Sequence, residues 1–422
     1  MTNREKPRSR ILSIKINDMI FSLIVCFYVL FDSINGFFIG TLGIHLPISL
    51  SIKSLILLMS LVVIFKCKNK ILSLFSLVIV FVFPIFFRAL FLSQEFFFIE
   101  LNYLLKYISF LIFIYYFYNY YSNVIDSYKP FYRLVYISYW IIVLNVSLGF
   151  FGIGGYTYPN TSTGFKGFFV AGNELSALFI LFTILIYGRL IGEDRGFISS
   201  IFILFSIFIS ILIGTKSSVL LLTLTMFIYP LYAKLINREY FSTLKVSLIL
   251  FVPISAFALF FYHFGENVQS ISTIERIIYK LDSHHIINAI FSGREIWFEM
   301  YMNYLYEHGL VSSVYFSVIF GSGFYYSTKA TLGKQLIESD LLDLYTLSGV
   351  IGVFIVVSIS IYFAYIILSS KKNGKIWKEA LYVHLALTLI AIFFGHVWTS
   401  GMLSVAYASM IGFTFSQRVV KC

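Results

Sequence analysis

The stretch GFFVAGNELSALFILFTILIYGRLIGEDRG, residues 167–196, carries no charged residue between Glu174 and Arg189. An α-helix rises about 1.5 Å per residue, so roughly 20 mostly apolar residues cross the ~30 Å hydrocarbon core of a bilayer. A short charged connection follows this run, and another apolar run follows the connection. The stretch therefore predicts a membrane-spanning helix with two polar residues, Asn173 and Glu174, just inside one end.

The whole chain has the same character as this stretch. Hydrophobic residues make up 59% of the 422 residues, charged residues make up 12%, and the mean hydropathy is +0.88. A soluble domain cannot bury so much apolar surface in one core, which excludes that class. No soluble block interrupts the apolar runs, so we predict one membrane domain over residues 1–422. The predicted fold class is an all-α polytopic membrane protein.

The apolar runs predict about twelve membrane spans, which start near residues 18, 47, 71, 97, 131, 168, 197, 216, 245, 340, 376 and 397. Lysine and arginine concentrate in alternate connections: 66–70, 122–133, 188–196, 233–245 and 371–378. By the positive-inside rule these connections and both termini are cytoplasmic. The basic N-terminus precedes an apolar run from Met19 to Gly40 without a cleavage site, which predicts an uncleaved signal anchor.

The opposite side holds one long segment, 264–339, which we predict to be a large periplasmic loop that carries part of the active site. Its stretch 267–281 has an apolar helical face and is expected to lie on the membrane surface. Ten of the 31 basic residues fall on this side: Lys53, Arg88, Lys106, Lys166, Lys216, Arg276, Lys280, Arg294, Lys329 and Lys334. The positive-inside rule disfavours that placement, so an anionic ligand is one explanation. Snorkelling of Lys53 and Lys106 to the interface is the alternative.

Other ligand classes have weaker signals. The formal charge of +11 is explained by membrane topology, since the chain has neither a basic interleaved patch nor a nucleic-acid motif. The three cysteines, Cys26, Cys67 and Cys422, have no disulfide or zinc spacing. We therefore expect no nucleic acid, no metal and no cofactor.

The sequence SGREIW, residues 292–297, predicts the start of a helix outside the membrane. Ser292 and Glu295 have the spacing of a capping box. Arg294 would then lie in the first turn, where backbone N–H groups and the helix dipole favour an anion. Its planar guanidinium can grip a phosphate with two hydrogen bonds. The alternative is a surface charge that pairs with Glu295 or Glu299.

A second group of polar residues lies at the mouths of predicted spans. Glu338 and Asp340 precede or begin the tenth span, where a carboxylate can act as a general base or simply cap the helix. Lys216 lies at the turn between the seventh and eighth spans. Gly321 and Gly323, in IFGSGF, predict a tight turn close to a ligand or a helix, or a plain loop.

Five motifs occur in a recognisable order: GFFVAGNELSA, GTKSS, SGREIW, IFGSGF and ESDLLDLYTLSGVIG, within residues 167–352. Their order over twelve spans, with one large late loop, resembles the superfamily of O-antigen polymerases and O-antigen ligases. The resemblance implies a metal-independent glycosyltransferase with a GT-C-like helical membrane fold. It further implies a donor and an acceptor that are oligosaccharides carried on undecaprenyl diphosphate.

The resemblance also implies roles for individual residues. In the ligases a loop arginine engages the diphosphate, and Arg294 matches it; a second arginine corresponds to Lys216, which keeps the charge but lacks the planar fork. Arg88 and Arg276 complete the predicted cationic set. Glu338 stands where ligases have a histidine, in a form closer to the polymerases, so it is the predicted base with Asp340 as the second choice. The predicted glycan contacts are Asn173, Glu174, Trp297 and Tyr301.

We therefore predict a polymerase that joins lipid-linked repeat units of O-antigen, or a related surface polysaccharide, at the outer face of the bacterial inner membrane and releases undecaprenyl diphosphate. The lipid bilayer and a chain-length regulator are the expected partners. An O-antigen ligase is one alternative. A flippase for lipid-linked oligosaccharides is another, although transporters usually show two related halves and this chain does not.

Overall fold

The structure of the chain is a computed structural model that describes residues 19, 21–65, 82, 85–86, 97–124, 126–159, 162–236, 293–308, 311–331, 336–370 and 376–418. Within these residues the chain is mostly helical. Several predictions fall outside the described residues: Arg88, Arg276, the surface helix 267–281, the span near residue 245 and most of the span near residue 71.

A π-helical turn, Phe21–Val25, precedes the first α-helix. The α-helices of the described residues are α1 (Tyr28–Leu42), α2 (Ile48–Phe65), α3 (Phe97–Asn123), α4 (Tyr128–Phe150), α5 (Gly172–Gly192), α6 (Gly196–Ile213), α7 (Lys216–Ile236), α8 (Arg294–His308), α9 (Val311–Phe320), α10 (Phe324–Ala330), α11 (Asp340–Ser369), α12 (Trp377–Phe393) and α13 (Leu403–Arg418). The two strands are β1 (Gly155–Tyr158) and β2 (Thr163–Gly167).

Six of the described helices are long and apolar enough to cross a membrane: α3, α4, α5, α6, α7 and α11. The helices α1 and α2 are apolar but shorter. Six such helices confirm the predicted class, a helical multi-pass membrane protein. The number of twelve spans, the likeness to the GT-C class and the sidedness of the loops stay predictions.

Helix α5 forms the centre of the bundle. It is the most completely buried of the six, since 89% of the residues in its apolar stretch are buried. Its sequence is apolar on every side, as expected for a helix surrounded by other helices. It contacts α4, α6, α7, α12 and α13. The polar residues of its first turn, Asn173 and Glu174, therefore lie where several helices meet.

Helices α3 and α13 make the most extensive helix pair. Phe110 stacks on Tyr407, and further along both helices the Tyr121 ring meets Phe413 edge to face. Because the contacts advance in the same direction on both helices, the two helices run parallel. Gly412 permits the close approach, since a Cβ there would lie 2.7 Å from the Phe117 Cβ.

A two-stranded antiparallel sheet departs from the predicted all-α fold. β1 pairs with β2, with Tyr156 opposite Phe165 and Tyr158 opposite Thr163. Gly164 has a φ of 66° and packs against the backbone at the end of α6, where a side chain would collide with the Ile213 carbonyl. The hairpin therefore covers the end of α6 that adjoins α7, and it arises because the connection between α4 and α5 is long enough to fold on itself.

The glycines of IFGSGF mark a close approach of two backbones, which confirms the predicted tight turn near a helix. Gly321 and Gly323 both have positive φ, 84° and 74°. A Cβ on Gly321 would lie 2.5 Å from the backbone of Leu347 and Ser348, at the point where Gly349 interrupts the helical geometry of α11. The turn between α9 and α10 thus fixes the first part of α11, the part that begins at Asp340.

Candidate active site

The loop between α12 and α13, residues 394–402, is held by a buried carboxylate. Asp340, the first residue of α11, has no exposed surface. Its Oδ2 accepts hydrogen bonds from the backbone N–H groups of Val397 (2.5 Å) and Trp398 (2.8 Å). Its Oδ1 accepts the Thr399 hydroxyl at 2.8 Å. We refer to this arrangement of Asp340 and residues 397–399 as the loop clasp.

A second carboxylate holds the same loop from the other side. Glu174 Oε2 accepts the Ser400 hydroxyl at 2.6 Å and lies 3.4 Å from the backbone N–H of Met402. The Ser400 Oγ in turn accepts the backbone N–H of Leu403 at 2.9 Å, at the start of α13. The beginnings of α5, α11 and α13 and the end of α12 therefore meet at one end of the bundle, which we call the site end.

Arg294 also points to the site end. It is the first residue of α8, as the capping pattern predicted, and Gly293 before it has a φ of 86°. The guanidinium donates from Nη1 to the Phe393 carbonyl and from Nη2 to the Phe394 carbonyl, both at 3.3 Å. These carbonyls end α12, where backbone acceptors lack partners within the helix and a cation is favoured. Only 11% of the Arg294 side chain is exposed.

Glu338 faces Arg294. Its Oε2 lies 3.8 Å from the Arg294 Nη2, and 40% of its side chain is exposed. Burial lowers the pKa of the Arg294 guanidinium, and the negative charge of Glu338 acts in the opposite direction. We refer to these two residues as the Arg294–Glu338 pair. One partner is buried and fixed, and the other reaches the surface.

The backbone that carries Glu338 is strained and closely packed. Glu338 has a φ of 71° and His396 has a φ of 59°, both in a region that costs free energy for residues other than glycine. The Glu338 carbonyl lies against Gly395, where a side chain would overlap it. The Ser339 hydroxyl donates to the Ile392 carbonyl at 2.8 Å. Contacts with the end of α12 therefore fix the position of Glu338.

Asp343, in the first turn of α11, has a different environment from Glu338. It is 2% exposed, and its Oδ1 accepts the backbone N–H of Ile337 at 2.6 Å. This hydrogen bond ties the segment that precedes α11, at Ile337, to the first turn of the helix. Asp343 thus supports the strained segment that presents Glu338.

The two predicted aromatic contacts differ in exposure. Trp297 is half-buried on α8. Tyr301 has no exposed surface, packs with Leu305 and Tyr326, and shares a hydrogen bond of 2.6 Å with Ser322. A side chain without exposed surface offers no face to a sugar in this arrangement, so the structure does not support the glycan contact at Tyr301, which stays a prediction. Its spacing on the helix reflects packing against α10.

Lys216 begins α7 and is half-buried. The residue before it, Thr215, shares hydrogen bonds with Ser176 of α5 (2.6 Å) and with Ser218 (2.8 Å), and these hydroxyls are buried. Because this network joins the turn to the first part of α5, Lys216 lies on a turn fixed to the helix that carries Asn173 and Glu174. Asn173 is half-buried beside Glu174.

An ion pair that the sequence did not indicate joins the first half of α1 to the first half of α2. The Lys53 ammonium is 2.7 Å from Oδ1 of Asp32 and donates to the Ser49 hydroxyl at 2.8 Å. Asp32 is 5% exposed and also accepts the Ser49 hydroxyl. An aspartate within an apolar run normally has a partner in the membrane. The sequence YVLFDSING could therefore have predicted that Asp32 forms an ion pair.

Among the described residues no group of three or more His, Cys, Asp or Glu side chains could hold a metal ion. The metal-independent reaction stays a prediction that rests on the resemblance. Comparison with known family models and with curated proteins finds no match to this chain. The chemistry of the site therefore has to be inferred from its own geometry.

Proposed function

We propose that this chain is a membrane glycosyltransferase of the polymerase kind, which joins oligosaccharide units carried on undecaprenyl diphosphate. The observation that carries the proposal is the Arg294–Glu338 pair, a fixed guanidinium 3.8 Å from a carboxylate that is 40% exposed. The pair lies at the beginning of α11, one of the six helices that can cross a membrane. An exposed, positioned carboxylate beside a buried cation is suited to acid–base chemistry on an anionic substrate.

The reaction needs a base and a stabilised leaving group. The acceptor hydroxyl oxygen attacks the anomeric carbon of the donor and forms the new glycosidic bond. The bond between that carbon and the diphosphate oxygen breaks, and its electron pair leaves with undecaprenyl diphosphate. Glu338 takes the hydroxyl proton, and Arg294 offsets the charge that develops on the diphosphate. Atoms and charge balance without a metal or a cofactor.

Asp340 has a positioning role in this proposal. Its carboxylate accepts three hydrogen bonds from the loop clasp and has no exposed surface, so a substrate hydroxyl cannot reach it while the clasp is intact. Its loss would move the loop whose residue Gly395 packs against the Glu338 backbone. Asp340 therefore acts through Glu338 and does not need to touch the substrate.

The surroundings of the pair provide the other functions that the reaction needs. Lys216 supplies a second positive charge at the site end, while Asn173, Glu174 and Trp297 supply polar and aromatic surface for sugars. The site end would face the periplasm of the bacterial inner membrane, where lipid-linked repeat units are presented. A chain-length regulator would bind outside the site.

The test uses purified full-length protein in proteoliposomes with lipid-linked oligosaccharides extracted from the organism that encodes the chain. Wild type is expected to produce a ladder of joined repeat units. Glu338→Gln keeps the size of the side chain but removes its basicity, so the ladder should decrease by about 10²- to 10⁴-fold. The matched control is Glu299→Gln, an exposed glutamate on α8, which should give the wild-type ladder.

Each other outcome contradicts a specific part of the proposal. A full ladder from Glu338→Gln would show that the base is elsewhere. Transfer of the glycan to a separate acceptor, without a ladder, would make the chain a ligase. Movement of repeat units across the bilayer without any joining would make it a flippase.

A further inference from the structure

A cavity of about 570 Å³ lies beside the site end, between α2, α3, the α1–α2 connection and the start of α13. Its volume is within the ~300–1,000 Å³ typical of small-molecule sites. Ser400 and Gly401 line it, so it adjoins the loop that Asp340 and Glu174 hold. The Arg294–Glu338 pair does not line this cavity.

One wall of the cavity presents an oriented ammonium group. Lys53 lines the cavity, and its Nζ is held by Asp32 at 2.7 Å and by Ser49 at 2.8 Å. An ammonium group has three donors, so these two contacts leave one for a ligand. Gly401 leaves this side of the group uncovered, because a Cβ there would lie 3.7 Å from the Lys53 Nζ, in van der Waals contact with it.

A second ammonium group lies on the neighbouring wall. Lys106 of α3 is half-buried, and its Nζ lies 4.8 Å from the centre of the Tyr103 ring. Within the part of the chain that the structure describes, no carboxylate pairs with it. Asn35 also lines the cavity, and its buried Oδ1 has no hydrogen-bond partner, so a ligand with a hydroxyl group would satisfy it.

The local charges favour an anion of low charge. Asp32 compensates Lys53, and Glu174 is occupied by Ser400 on the other side of the loop. Among the described lining residues, Lys106 then carries a positive charge that no carboxylate compensates. A single phosphate group suits this arrangement, since its oxygens accept charge-assisted hydrogen bonds from ammonium groups.

The lining also has an apolar side, which a free ion would not use. Leu50, Leu57, Leu105 and Phe113 extend the cavity along α2 and α3. Leu50 and Leu105 are at least half exposed, so the apolar side is open. A hydrocarbon chain would pack against this surface.

We propose that this cavity binds an amphiphile that consists of a phosphate head group on a hydrocarbon chain. The phosphate lies between Lys53 and Lys106, and the chain follows α2 and α3. The site is separate from the Arg294–Glu338 pair and does not depend on glycosyl transfer. Binding can therefore be measured without any activity of the protein.

The test measures the melting temperature of the full-length protein in detergent against dodecyl phosphate, dodecanol and inorganic phosphate. Dodecyl phosphate is expected to raise the melting temperature of wild type at concentrations where the other two compounds do not. Lys106→Gln should weaken the apparent affinity for dodecyl phosphate by roughly 10-fold or more, since it removes one charge-assisted hydrogen bond. Lys106→Arg, which keeps the charge, should retain most of it.

The matched control is Lys329→Gln, an exposed lysine on α10 that does not line the cavity, and it should bind as wild type does. Equal stabilisation by inorganic phosphate would show a site for a free ion and overturn the lipid part of the proposal. Equal stabilisation by dodecanol would show an apolar groove without phosphate recognition. Equal affinities of Lys106→Gln and Lys329→Gln would place the ligand elsewhere and overturn the proposal.

Discussion

The Arg294–Glu338 pair and the loop clasp lie at the same end of the bundle and use carboxylates two residues apart, yet their environments are opposite. Asp340 has no exposed surface and accepts three hydrogen bonds of 2.5–2.8 Å. Glu338 is 40% exposed and has its cation at 3.8 Å. A carboxylate that is fully buried and bound by three donors maintains structure, whereas one whose backbone is fixed and whose carboxylate group is exposed can react.

The loop clasp is where a single substitution should have the largest effect on stability. Asp340→Asn replaces the carboxylate by an amide. The amide NH₂ group is a donor, so it cannot accept the hydrogen bonds that residues 397–399 donate to the carboxylate oxygens. We expect a loss of roughly 3 kcal/mol in the free energy of unfolding, because a buried charge-assisted network is broken. Thermal unfolding in detergent measures this loss. An unchanged unfolding temperature would mean that the loop is held by other contacts.

The next largest effect should come from the cation of the pair. Arg294→Lys keeps one positive charge but loses the planar group that bonds two carbonyls of α12. Turnover should fall by roughly 10- to 100-fold, about 1.4–2.7 kcal/mol, with the chain still inserted. Ladder formation at equal protein level measures this fall. Arg195→Lys, at an exposed arginine between α5 and α6, is the control and should polymerise normally.

A smaller effect on stability should follow from a change at Glu174, the second carboxylate that holds the 394–402 loop. In Glu174→Gln one amide oxygen still accepts from Ser400, so we expect a loss of about 1 kcal/mol in stability. If Glu174 also binds the glycan, the KM for the lipid-linked substrate should rise while kcat stays close to wild type. A lower kcat with unchanged KM would instead place Glu174 in the chemical step.

The smallest effect should come from Tyr301. Tyr301→Phe removes the hydroxyl that bonds Ser322 but keeps the ring in its buried cluster. We expect a loss of about 1 kcal/mol in stability or less, and unchanged polymer formation. A large rise in KM with unchanged stability would restore the role of Tyr301 as a glycan contact.

Features that depend on neighbouring residues could be predicted from the sequence. The apolar runs identified the membrane class, the capping pattern placed a helix start at Gly293, and the glycines at 321 and 323 indicated a close backbone approach. Each of these signals comes from residues close together in the sequence, whose local structure is determined by helical periodicity and backbone preferences.

Contacts between distant residues could not be predicted in the same way. Asp340 bonds residues 57 to 59 positions away, and Glu174 bonds a serine 226 positions away. Periodicity carries no information on such partners, so the sequence could not show that Asp340, the second choice of base, is buried and bound by the loop. The pairing of β1 with β2 was also missed, because each strand is too short to show alternation.

Glu338 takes the proton in the proposed reaction, and Asp340 holds Glu338 in position. One paired measurement separates these two roles. Polymer formation per folded molecule is compared for Glu338→Gln and Asp340→Asn, with the folded fraction taken from the unfolding curve of each preparation. Glu338→Gln is expected to unfold as wild type does and to be nearly inactive. Asp340→Asn is expected to be unstable and, after correction for the folded fraction, to polymerise less than wild type but far more than Glu338→Gln, because Asp340 only positions Glu338. A stable, inactive Asp340→Asn beside an active Glu338→Gln would contradict this assignment of roles.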